Sequence, residues 1–290
     1  MKALIIMVPF DSGHRDARMG RGPGDLVRHG AVERLQQAGW DVETIVAEPE
    51  PGFATEIGTA FELQRRIAQW VKTAIDSGSF PLILSGNCNV AAIGALAGIG
   101  SSRPSLVWFD GHADFCTPET AELGYLDGMR LAMATGRCWT GLTARIPGFF
   151  PVPDERVLLA GAHEIEEQEG KDLRASGIMH MNADGIRSPD GKKRLAQACD
   201  LLKRRTDAAY LHVDLDVHDA MIARANHLAP RGGLAPDEVR EAICAVIDSL
   251  PVRVASLTAF DPDADPNGSM RKVALDLLST MMQRVAAHRA

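Results

Sequence analysis

Short apolar runs and amphipathic runs alternate along the chain from its start. The runs at 3–8, 42–46, 81–84, 105–109, 156–160, 178–181, 209–213 and 253–257 are too short and too continuously apolar for amphipathic helices. They read as buried strands. Between them lie stretches with helical period. Residues 23–37 open with a proline in the first turn and stop near Gly39. Over 59–75, Ala60, Leu63, Ile67, Trp70, Val71 and Ala74 form one apolar stripe. Further helices are expected at 89–96, 166–175, 193–205, 236–249 and 271–288. Eight strands alternating with helices predict an α/β fold with a parallel sheet covered on its faces, in one domain over 1–290. Counting elements does not separate an open doubly wound sheet from a closed eight-stranded barrel. In either, a site belongs at the carboxyl ends of the strands.

Two of the predicted strands end in acids. The run 105–109 is followed by Asp110-Gly111-His112-Ala113-Asp114, and 209–213 by Asp214-Leu215-Asp216. On extended chain, alternate residues share a face, so each set projects together. One such set could be a solvated loop. Two sets at two strand ends offer oxygen ligands for two divalent cations, which would offset the cost of burying that many carboxylates.

Composition narrows the class. With 46% hydrophobic and 24% charged residues the chain has an ordinary globular mix, and a net charge of -7 leaves no basic footprint for nucleic acid. Five cysteines without framework spacing suggest a reducing compartment. The first apolar run is short and ends at Pro9 without a small-residue cleavage site, so it reads as a strand and not a signal peptide. No stretch is long enough to span a bilayer, so a cytoplasmic protein without membrane contact is expected. Gly20-Arg21-Gly22-Pro23-Gly24 is a turn in the wrong context for a nucleotide fingerprint.

Ser85-Gly86-Asn87-Cys88 after the third strand, Trp108 to Asp114, and Val213-Asp214-Leu215-Asp216, in that order and spacing, resemble the ureohydrolases: arginase, agmatinase and formimidoylglutamase. The similarity runs from Val8-Pro9-Phe10 through Thr117-Pro118-Glu119 to Arg231-Gly232-Gly233-Leu234. The resemblance implies a three-layer α/β/α sandwich with an eight-stranded parallel sheet. It implies two manganese ions, with a bridging hydroxide that attacks a guanidinium or amidine carbon. The implied ligands are Cys88, Asp110, His112, Asp114, Asp214 and Asp216, with Asp110 and Asp214 shared. Relatives assemble into trimers and hexamers, so a homo-oligomer is an expectation of the same kind.

Four positions depart from the arginase pattern. Cys88 replaces a ligand histidine and is similar to the branch that hydrolyses N-omega-hydroxy-L-arginine, as are Phe115 to Thr120 and Gly124-Tyr125-Leu126. A thiolate there would add a negative charge and turn one ion position toward zinc or iron; a small buried thiol is the alternative reading. Asp127 stands where the family's proton-shuttling histidine falls, and either carries the proton or is a turn residue. Ala259 fills the slot of the glutamate that pairs with the guanidinium, so Asp261, Asp263, Asp265 or Asp219 would have to supply that charge from a shifted position. His163-Glu164-Ile165-Glu166 replaces the arginine-specific segment, and Cys116 and Leu123 replace the residues that hold the amino-acid carboxylate. Glu166 could still meet a substrate ammonium. His218 and His227 are read as solvated loop residues.

The expected function is hydrolysis of a linear, non-peptide carbon–nitrogen bond in an arginine-derived or amidine-like small molecule. Asp127 and His112 are its candidate catalytic residues, and Glu166, Asp219 and Asp261 its substrate contacts. Activity on arginine itself is doubtful on this reading. The alternative is a chain that keeps fold and metal without catalysis.

Overall fold

The computed structural model describes residues 1–52 and 55–289. All eight predicted strands form: β1 (Lys2–Val8), β2 (Asp41–Val46), β3 (Phe80–Ser85), β4 (Pro104–Phe109), β5 (Val157–Gly161), β6 (Met179–Asn182), β7 (Ala208–Asp214) and β8 (Val252–Thr258). They pair in parallel as one open sheet in the order β2-β1-β3-β8-β7-β4-β5-β6. β2 and β6 are its edges, which removes the barrel alternative.

The inner strands are largely apolar because both faces are covered, whereas the edge strand β2 (DVETIV) is mostly exposed. Alternate positions such as Ile5, Leu82, Val107 and Leu211 pack in one core. Their neighbours Ile6, Ile83, Leu106 and Tyr210 pack in the other. The first core is closed by α1 (Gly22–Arg28), α2 (Ala31–Gln37), α6 (Gly191–Arg205), α7 (Pro236–Ser249) and α8 (Ser269–Arg289). The second is closed by α3 (Glu56–Asp76), α4 (Ala92–Gly98) and, at one end, α5 (Glu167–Ala175). This is the three-layer α/β/α arrangement.

The expected helix over 23–37 is two helices. Gly30 has φ of 103°, a left-handed conformation that ends α1 and starts α2 at a new angle. The helix expected from residue 89 starts at Ala92, because Cys88–Val90 form a tighter turn first. No helix among the described residues is long and apolar enough to cross a membrane. The five cysteines are all unpaired.

Candidate metal centre

The carboxyl ends of the four central strands β3, β8, β7 and β4 converge. Register sets their level: Trp108 pairs with His212 and Phe109 with Val213, so Asp110 and Asp214 leave adjacent strands side by side. Thr258 of β8 lies opposite Asp214 on its other side. Cys88 enters from the turn after β3.

Asp110, Asp214 and Asp216 are held by neighbouring backbone and ring N–H groups. Trp108 Nε1 donates to Asp110 Oδ2 at 2.9 Å, and the His112 amide to Oδ1 at 2.7 Å. Asp214 Oδ1 accepts from the Asp216 amide at 2.8 Å, and Asp216 Oδ1 from the Gly111 amide at 3.1 Å. That last contact fixes residue 111 as glycine, since a Cβ there would lie 2.7 Å from the Asp216 carbonyl oxygen. His112 Nδ1 stands 3.2 Å from Asp216 Oδ2 and 3.5 Å from Asp110 Oδ1. Cys88 Sγ lies 2.8 Å from Asp214 Oδ2 and 3.0 Å from Thr258 Oγ1.

Burial makes this cluster electrostatically expensive. It pushes Asp110 up to about 6 and Asp114 up to about 8, with Asp216 and Asp110 respectively adding like-charge repulsion. Asp214 and the Cys88 thiol are also driven well up, burial first and neighbouring carboxylates after it. Burial works the same way on Asp216, but His112 beside it overrides that and holds it low. In turn Asp216 overrides the burial of His112 and raises its imidazole well above the usual histidine range. Protons therefore supply positive charge beyond what the buried Arg130 provides. Two donor sets meet metal-ligand spacing, Cys88/Asp110/His212 and Asp110/His112/Asp216, with ligand atoms in each within 4.8 Å of one another. They share Asp110. Oxygen-rich, buried and short of positive charge, the cluster fits a pair of divalent cations.

Above the acids opens a cavity of about 290 Å³, lined by Asp110, His112, Asp114, Asp214 and Asp216 on one side and by Glu164, Glu166 and Glu169 on another. Asp127 lines it too. It is ion-paired with the fully buried Arg130 and accepts from the Asn89 amide at 3.1 Å. Arg130 Nε also faces Asp114 at 3.8 Å, while no guanidinium nitrogen makes a directed hydrogen bond. Cys116 and Ala259 line the wall. Three other positions do not join the cavity. Asp219 accepts from the Met221 amide. Asp261 is buried beside Arg21 at 3.7 Å and His227 at 3.9 Å. Leu123 is 91% exposed. His218 is not solvated as expected: it is 1% exposed, with Nδ1 2.9 Å from the Leu215 carbonyl.

The arginase family model matches residues 1–283. The chain belongs to the arginase family. The arginase of Bacillus caldovelox is 29% identical over 290 residues, covering 96% of each chain. Its native crystal structure at pH 5.6 superposes with a TM-score of 0.86 over 97% of this chain and 98% of that one. The crystal structure of Bacillus subtilis arginase, 26% identical, superposes with a TM-score of 0.88 over 97% and 98%. The agmatine ureohydrolase of Thermoplasma volcanium, 18% identical with a TM-score of 0.73, shares the fold.

Three residues of this arginase-family site escaped the reading of the sequence. His212 could have been found, since it alternates with Asp214 onto one face of β7. Glu169 carries a signal as well. It stands three residues after Glu166 at the start of α5, and its side chain accepts from the Glu166 amide at 3.2 Å in a capping box. Arg130 carries none; nothing local distinguishes a buried arginine from a solvated one.

Proposed function

We propose that this arginase-family chain is a metal-dependent hydrolase of a linear, non-peptide carbon–nitrogen bond in a small guanidino- or amidine-type molecule. The observation that supports it is the pair of donor sets sharing Asp110 on the floor of an acid-walled cavity. Asp110, His112, Asp114, Asp214 and Asp216, with Cys88, would hold two cations, manganese by family resemblance, with zinc or iron favoured at the thiol end. Bound there, the ions supply Lewis acidity and lower the pKa of a water so that a nucleophile exists near neutral pH.

The protein's own groups then account for binding and proton movement. Glu166 and Glu169 face a cationic substrate and compensate its charge on entry. Asp127, ion-paired with Arg130 at the cavity wall, would accept the nucleophile's proton at a carboxylate oxygen and return it to the leaving amine. His112 would take part as a metal ligand, its Nδ1 standing between Asp110 and Asp216. The neighbours are named arginases, so arginine belongs in the test. Cys88, Cys116 and Ala259 favour a derivative such as N-omega-hydroxy-L-arginine over arginine. The test is urea, hydroxyurea or ammonia release from a guanidino and amidine panel by manganese-loaded protein. Turnover of the hydroxylated substrate above arginine is expected, and no turnover on any member would reject the proposal.

A second reading has its own observation. Ala259 leaves the cavity wall without a carboxylate there, and Asp261 is turned toward Arg21. On this reading the chain binds metal and does not catalyse. It predicts a full metal complement with no turnover, and arginine hydrolysis gained only in an Ala259→Glu, Asp127→His variant.

A further inference from the structure

His212 lies against Cys88 and meets metal-ligand spacing with Cys88 and Asp110, yet it can serve the centre either as a ligand or as a partner of one. It is fully buried on β7, and its ring stacks on Trp108 with centroids 3.7 Å apart and planes at 15°. The two ring nitrogens face different chemistry. Nε2 stands 3.0 Å from Cys88 Sγ. Nδ1 stands 2.8 Å from the Tyr210 hydroxyl and 2.9 Å from the Ser256 hydroxyl, and those two oxygens are 2.8 Å apart.

Counting protons in that triangle selects the tautomer. Tyr210 and Ser256 are both fully buried, and each hydroxyl finds its hydrogen bonds only within the triangle, among the described residues. If Nδ1 carries a proton, it occupies one side of the triangle, one hydroxyl proton fills the oxygen–oxygen side, and the other hydroxyl proton has no acceptor left. If Nδ1 carries none, Tyr210 donates to Ser256, Ser256 donates to Nδ1, and every proton is used. A buried donor left without an acceptor is costly, so the second arrangement wins. The ring proton then sits on Nε2 and points at the Cys88 sulfur.

We propose that His212 is a positioning residue of the metal centre: its Nε2–H donates to the Cys88 sulfur and stabilises that sulfur as a thiolate ligand. This rests on the reading of the cluster as a metal site. The thiolate adds a negative charge to a centre already crowded with carboxylates. A fixed N–H donor spreads that charge, as partners behind a ligand commonly do. On metal binding the thiol proton leaves to solvent. His212 is thereby assigned as donor to a ligand and not as a ligand.

Cobalt(II), titrated into the metal-free full-length protein, is the probe. It reports sulfur ligation through thiolate-to-cobalt charge-transfer absorption. The parent should show that band and Cys88→Ser should lose it. His212→Phe, which keeps an aromatic ring on Trp108, should weaken cobalt binding at the sulfur by about 10–100-fold and move the band to lower energy. His212→Asn, which retains an N–H donor, should recover part of both. Parent affinity and an unmoved band in His212→Phe would overturn the inference while leaving the metal reading intact; a parent that binds no cobalt would bring down both. Nitrogen-15 spectra of histidine-labelled parent protein, metal-free and zinc-loaded, do not depend on the variants folding. They should show Nε2 protonated in both states, and a bare or metal-bound Nε2 would overturn the assignment.

Discussion

Asp114 adopts φ of 51°, a left-handed conformation that a residue with a Cβ adopts at a cost of about 1–3 kcal/mol. Its carbonyl accepts from the Leu131 and Ala132 amides at 2.8 and 3.2 Å, and this holds the strained turn that aims the carboxylate into the cavity. Asp114→Asn keeps the turn and removes one buried acid. It should lower bound metal from two equivalents to one by elemental analysis. At pH 8 it should raise the urea midpoint of the metal-free protein, because like-charge repulsion against Asp110 is gone. Arg130 presents the opposite case. Arg130→Met would leave Asp127 and Asp114 without their buried countercharge and should cost about 3–5 kcal/mol by urea unfolding. Adding Asp127→Asn should return much of that loss in a double-mutant cycle, because the stranded charge is removed with its partner. Sequence analysis placed Asp127 at the site, whereas its partner appears only when the helical segment Arg130–Ala134 folds under the cavity.

At the scale of elements, α4 packs on α3 through its glycines. A Cβ at Gly98 would lie 2.6 Å from the Ala68 carbonyl oxygen and 2.6 Å from Val71 Cβ. Helix propensity alone predicts that Gly98→Ala gains up to about 1 kcal/mol. The neighbouring atom is backbone and cannot turn aside, so overpacking of about 1–3 kcal/mol wins and the variant should be less stable by urea or thermal unfolding. The eight strands and most helices were legible because burial on both sheet faces writes continuous apolar runs, and amphipathic faces write a 3.6-residue period. The break at Gly30 was less legible, since a glycine inside a periodic stretch is compatible with a continuous helix as well as with two. The delayed start of α4 was hidden for a similar reason: Asn89 to Leu96 are apolar enough to satisfy a helix pattern, while the turn at Cys88–Val90 is set by contacts with other segments.

For the whole molecule, the buried acids make stability and metal binding respond oppositely to pH. Asp110 and Asp114 hold protons in the folded metal-free protein up to about 6 and about 8, whereas the unfolded chain releases them near 4. The native state thus binds more protons at these acids, while His212, His218 and His180, whose pKa burial lowers, oppose the trend only below about 6.5, so metal-free stability should fall as pH rises from about 6.5 to 8. Metal ligation needs the same groups deprotonated, so affinity should rise over that window and the thermal shift on adding manganese should be larger at pH 8 than at about pH 6.5. Thermal melts at both pH values, with and without manganese, check both signs, and a metal-free protein more stable at pH 8 would contradict the first. Taken alone, the sequence determined the α/β class, the strand tips that carry the acids, and the motif set that places the chain near the ureohydrolases, since these depend on period and local spacing. The tertiary structure decided that the sheet is open, that Asp219 and Asp261 stay out of the cavity, and that Arg130, Glu169 and His212 belong around it. Strand order and register bring together residues far apart along the chain, such as Cys88 and His212, and no local pattern encodes a contact of that range.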